Sequence, residues 1–137
     1  GAVISATKQF SADLKQNPIL DIVPDRLNTL CLSGSLQGYA DKVLFACDRM
    51  VAQVPESLDF HDSRGLARAL THDYAGAIED FTFFVEHYAP NSYYPSPSSP
   101  SMPIDERLAQ RRAWIAALER GENPLTDEVL RELRGEE

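Results

Sequence analysis

At 137 residues the chain holds one domain's worth of material, enough to bury a core without a metal or a disulfide. Its apolar share of 43% is that of an ordinary globule, and no apolar run approaches the length needed to span a bilayer. The net charge of −8, from 13 Lys and Arg against 21 Asp and Glu, repels phosphate backbones and anionic lipid, so neither nucleic acid nor membrane insertion is expected.

The chain opens Gly1-Ala2-Val3-Ile4, with no basic region and no long apolar stretch, and does not read as a signal peptide. Gly1-Ala2 without a methionine reads as the remnant of a removed tag, and the chain as a piece of something larger. Val3, Ala6, Phe10 and Leu14 share one face of a first helix that Asn17-Pro18 would end. A strand through residues 2–6 is the alternative. Residues 1–23 are assigned as an N-terminal helix and linker.

Pro24-Asp25 begins the next helix, which carries Leu27, Leu30, Cys31 and Leu36 and closes at Gly38. Its partner runs from Tyr39 to Val54, with Val43, Leu44, Cys47, Met50 and Val51 recurring at three and four, and Pro55 stops it. Cys31 and Cys47 both sit among apolar residues. Buried thiols in a reducing cytosol are the expected state, with a disulfide or redox pair as the alternative.

A second pair of helices repeats this plan. Leu32–Val51 matches Leu66–Val85 at an offset of 34 residues, pairing Asp25 with Asp59, Leu32 with Leu66, Leu36 with Leu70 and Val43 with Ala77. That period belongs to stacked helix–turn–helix units, none of which can bury its apolar face alone. Ser57 is the expected N-cap of a helix from Leu58 to Leu70, and Asp73 that of a helix from Tyr74 to about Tyr88. Gly65, in mid-helix, needs a close helix–helix approach to justify its lower propensity.

Residues 89–103 break the pattern, with five prolines and five serines, and support neither helix nor core strand. The stretch reads as an exposed insertion or as a docking segment whose apolar handles are Tyr93 and Tyr94. Order resumes with a helix that begins around Met102-Pro103-Ile104, carries Leu108, Ile115 and Leu118 with Trp114 beside them, and ends at Gly121 and Pro124. Thr126 caps a last helix, stapled by Leu125 and Leu130, with Leu133 also inward and Gly135 closing. These two helices leave the repeat register and are expected to cap the stack over residues 104–137.

Groups for catalysis or metal binding are sparse. His61, His72 and His87 have no histidine or cysteine at i,i+4, no glycine-rich phosphate loop is present, and the serine runs lack a nucleophile elbow. Neither an enzyme active site nor a cofactor is expected. What remains is the inner surface of the stacked hairpins, where Asp25, Asn28, Leu32 and Leu36 of one unit align with Asp59, Asp62, Leu66 and Leu70 of the other. Leucines bordered by carboxylates suit a basic or amphipathic protein segment. The plainer alternative is that the leucines pack internally and the acids are solvated.

The run Arg64-Gly65-Leu66-Ala67-Arg68-Ala69-Leu70-Thr71-His72-Asp73-Tyr74-Ala75-Gly76-Ala77-Ile78-Glu79-Asp80-Phe81 resembles a tetratricopeptide repeat. Gly65, Tyr74, Ala77 and Phe81 fall on the family's mid-helix glycine, post-turn aromatic, small residue and large residue. His72 replaces the usual turn glycine, and Pro90 comes one place late. The preceding unit is a degenerate copy in which Pro55 fits while Cys31 and Val43 replace small residues. The resemblance covers two repeats, 24–57 and 58–91, and is similar to the repeat tails of large multidomain bacterial signalling proteins. It implies an all-α, α-α superhelical fold and a cytoplasmic protein-interaction or scaffolding module that binds a peptide or helix without a cofactor. A small-ligand-binding accessory domain of a multidomain enzyme is the alternative. The lysine-and-asparagine clamp of chaperone-binding members is not implied, because Asp25, Asp59 and Asp62 hold that surface.

Overall fold

A computed structural model describes residues 23–88 and 104–136. Among them the chain forms six helices and no strand: α1 (Pro24–Leu36), α2 (Ala40–Gln53), α3 (Leu58–Leu70), α4 (Tyr74–His87), α5 (Ile104–Glu119) and α6 (Asp127–Leu133). The proposed first helix and the Pro/Ser-rich segment with Tyr93 and Tyr94 lie outside the described residues. The protein is all-α, built from helical hairpins, as the spacing predicts.

Helices α3, α4 and α6 start where the sequence supplies side-chain acceptors for unpaired first-turn amides. Ser57 Oγ accepts from the Phe60 amide, an Asp73 carboxylate oxygen from that of Gly76, and Thr126 Oγ1 from that of Val129. Four helices end in one motif, in which two amides past the helix fold back on its last carbonyls. At the end of α1, Tyr39 N donates to Gly34 O at 2.8 Å and Gly38 N to Ser35 O at 3.2 Å. The ends of α3, α5 and α6 repeat this with Asp73 and His72, Glu122 and Gly121, and Glu136 and Gly135. The pivot needs a positive φ. Glycine supplies it at positions 38, 121 and 135, but at α3 the pivot is His72, with φ of 66°.

Helix α1 pairs with α2 and α3 with α4; α2 and α1 both pack on α3, and α5 lies along α4. In the first hairpin Leu27, Val43, Ala46, Cys47 and Met50 are fully buried, and Phe60 and Ala67 of α3 close the cluster. In the second, Gly65 admits the Phe81 ring: a Cβ on Gly65 would lie 2.7 Å from Phe81 Cε1. The mid-helix glycine thus has the close approach it needed, and Ala77 is fully buried beside it.

One expectation is corrected. Cys31 and Cys47 are a disulfide, not free thiols, with Cα atoms 5.2 Å apart. Both face the interface of one antiparallel hairpin, so the helical spacing that buries them also brings them together.

Candidate functional site

The residues expected to line an open inner surface are for the most part covered. Asn28, Leu32, Leu36, Asp62 and Leu66 are buried, Asp59 and Leu70 are half-buried, and Asp25 alone is exposed. The cover is the chain's own C-terminal region. Trp114 and Leu118 of α5, with Leu125, join Leu32, Leu36 and Leu66 in one apolar cluster, and Val129, Leu130 and Leu133 of α6 pack against it. The leucines pack internally, and the pair α5–α6 folds into the inner surface.

Charge accompanies that cover. Arg107 and Arg111, four residues apart on α5, are each only 1% exposed. Arg111 meets Asp62 with a parallel fork, Nε to Oδ1 at 2.6 Å and Nη2 to Oδ2 at 2.8 Å. Its guanidinium also lies 4.3 Å from the Trp114 ring, a cation–π contact. Bidentate geometry of this kind favours arginine over lysine. Asp59, one helical turn before Asp62, is pushed up to about 6 by burial and by the Asp62 charge, against the opposing pull of Arg107 and Arg111. Burial pushes the Arg107 guanidinium down, and the neighbouring Arg111 adds to this while Asp62 and Asp59 oppose it.

The sequence reading missed both arginines, since it followed only the apolar stripe of α5. The available signal was their spacing: Arg107, Arg111, Trp114 and Leu118 recur at four, three and four, continuing one face. The stripe is accordingly rotated, with Trp114 buried at its centre and Ile115 half-buried at its edge.

A second buried polar group locks α3 to α4. Asp80, fully buried, accepts from Arg64 Nε and Nη2 at 2.9 Å each and from Arg68 Nη1 at 3.1 Å. His61 sits between Asp80 Oδ1 at 2.9 Å and the Pro55 carbonyl at 2.7 Å. Both neighbours are acceptors, so the ring satisfies both contacts only with a proton on each nitrogen. Burial raises the Asp80 carboxyl, but the His61 and Arg64 hydrogen bonds and the Arg64 and Arg68 charges outweigh it and hold it below the usual carboxylate range. This cluster accounts for His61. His87 stacks on Phe83 at the exposed end of α4, and His72 is the exposed turn residue.

A recess of about 390 Å³ lies between the two hairpin turns and α6. Its walls are Ser35, Gly38, Ala40, Asp41, Leu70, Thr71, His72 and Leu130. Ser35 is 1% exposed and its hydroxyl has no hydrogen-bond partner. An unpaired buried hydroxyl costs about 1–3 kcal/mol, and a non-glycine residue in the left-handed region about 1–2 kcal/mol. Ser35 and His72 place both costs on this recess.

Neither a protein-family model, a curated protein nor a solved structure matches the chain. The tetratricopeptide likeness therefore rests on the residues quoted above and on the paired helices. Among the described residues no helix is long and apolar enough to cross a membrane.

Proposed function

We propose that the chain is a protein-interaction or scaffolding module, a regulatory part of a larger bacterial protein, which grips amphipathic helical segments through the inner face of tetratricopeptide-like hairpins. The observation that carries this reading is α5 itself. That helix presents Arg111 to Asp62, and Trp114 and Leu118 to Leu32 and Leu66, the recognition a basic amphipathic partner helix would use. A partner either extends this row toward the exposed Asp25 or takes the place of the weakly buried α6, none of whose residues is fully buried.

Affinity capture from the source cell tests the proposal, with the wild-type chain beside Asp25→Lys and Leu133→Gln variants. A protein retained by the wild type, weakened by Asp25→Lys and released as salt rises supports a steered, charge-bordered face. The same proteins captured equally by all three chains would remove the inner face from consideration. Cytoplasmic placement belongs to the same proposal, and the Cys31–Cys47 bond weighs against it, because disulfides persist chiefly in oxidising compartments. Thiol titration of the denatured protein from its native cell, alkylated at lysis, decides the matter. Two free thiols favour the cytoplasm and none an oxidising compartment.

A further inference from the structure

The recess between the two hairpin turns joins three kinds of recognition that no single simple ion would use. Tyr39 offers no side-chain cap to α2, and Ala40 and Asp41 of its first turn line the recess, which brings a helix start, whose amides are donors for an anionic group, to its wall. The Ser35 hydroxyl, buried and unpartnered, adds a further group able to donate. The Asp41 carboxylate on the same wall repels a plain anion and attracts an ammonium group. Leu70 from α3 and Leu130 from α6 supply an apolar flank. A plain cation would leave the amides and hydroxyl unused, and a plain anion would meet Asp41.

We propose that this recess binds a free aliphatic or aromatic α-amino acid. Its carboxylate would lie at the α2 N-terminus and Ser35, its ammonium at Asp41, and its side chain against Leu70 and Leu130. The volume of about 390 Å³ accommodates a ligand of that size. His72 lines the same recess where the three other helix ends of this motif use glycine. The fold thus keeps a side chain there against the preference of its backbone. This site borders the inner face, sharing Leu70 and Leu130 with its cover, and goes beyond the interaction reading.

The test is a titration of the isotope-labelled full chain with L-leucine, 4-methylpentanoate and 3-methylbutylamine, followed through backbone amide resonances. The expected result is saturable shifts at Ala40, Asp41 and His72 with leucine, and binding about tenfold weaker for each single-headed analogue. Asp41→Asn should weaken leucine and the amine alike and spare 4-methylpentanoate. Ser35→Ala should weaken leucine several-fold while leaving the melting temperature unchanged or higher, because the hydroxyl has no internal bond to lose. A merely structural serine would instead lower the melting temperature and leave binding alone. Absence of saturable shifts overturns the proposal, as does equal binding of leucine and 4-methylpentanoate or a response confined to other residues.

Discussion

Position for position at the 34-residue offset, Leu27, Leu30, Gly34 and Ala46 of the first hairpin correspond to His61, Arg64, Arg68 and Asp80 of the second. Cys31 and Cys47 correspond to Gly65 and Phe81, and Gly38 to His72. The first hairpin closes on an apolar seam with a covalent tie, and Gly34 lets α1 approach Val43 of α2. The second closes on a buried carboxylate held by two arginines and a histidine, with an aromatic ring lying against glycine. The repeat thus specifies where helices lie and turn, and leaves open which force holds them. An ion cluster and a disulfide occupy equivalent seams without changing the hairpin.

The sharpest break in that comparison is Asp80→Ala, which leaves Arg64, Arg68 and His61 without their shared acceptor. Removing one partner from a buried ion cluster costs about 3–5 kcal/mol, and urea unfolding should show it. Installing the first hairpin's chemistry, with His61→Leu, Arg64→Leu and Asp80→Ala together, should recover most of that loss. A triple variant no more stable than the single one would mean the two seams are not interchangeable. The Asp80 carboxyl is depressed in the folded state, so its contribution is complete above the ordinary carboxylate range and is lost as pH falls through its folded value.

Reduction of Cys31–Cys47, 16 positions apart, should remove about 3 kcal/mol by freeing the unfolded chain. Thermal unfolding with and without reductant measures it, and coincident curves would show the tie to be idle. Next in size is Ala77→Leu, which overpacks the second seam by about 1–3 kcal/mol. Its counterpart at position 43 is already valine, tolerated because Gly34 faces it. A melting temperature within a degree or two of wild type would argue against that constraint.

The smallest effect is expected at Asp59. Its folded value of about 6 lies above the ordinary 3.8, so the folded state binds the proton more tightly. Its contribution is greatest below pH 3.8 and is lost as pH rises through about 6. Asp59→Asn should therefore raise stability at neutral pH, by under about 1 kcal/mol given partial solvent exposure. It should also flatten the pH profile between those values, and an unchanged profile would place the charge elsewhere.

Helix ends were legible because punctuation is local: Pro24, Ser57, Asp73 and Thr126 begin helices, and Gly38 and Gly121 end them. The mid-helix Gly65 also announced its neighbour's approach. What the inner face touches was less legible, since Asp62 and Arg111 belong to helices separated by a break in the period. Asp59→Lys and Asp62→Lys look like harmless surface changes from the repeat alone. With Asp62 buried against Arg111, a lysine there would set like charges together and damage the fold. The disulfide was within reach of the pattern, which puts both cysteines on facing helix stripes, but spacing alone does not distinguish two packed thiols from a bonded pair.

The Asp62–Arg111 fork closes across 49 positions and the Arg134–Leu36 carbonyl contact across 98, whereas the Asp80 bonds span 12 to 19. Short-range seams close cheaply and early; distant ones wait for the larger loss of chain entropy. Arg111→Gln should accordingly hasten unfolding while leaving the refolding rate nearly unchanged, and a slowed refolding limb would contradict that order. During synthesis, at about 5–20 residues per second, the first four helices leave the ribosome seconds before α5 and α6 do. For that interval Leu32, Leu36 and Leu66 lack the cover that α5 and α6 supply, and the nascent chain carries an apolar surface awaiting those two helices.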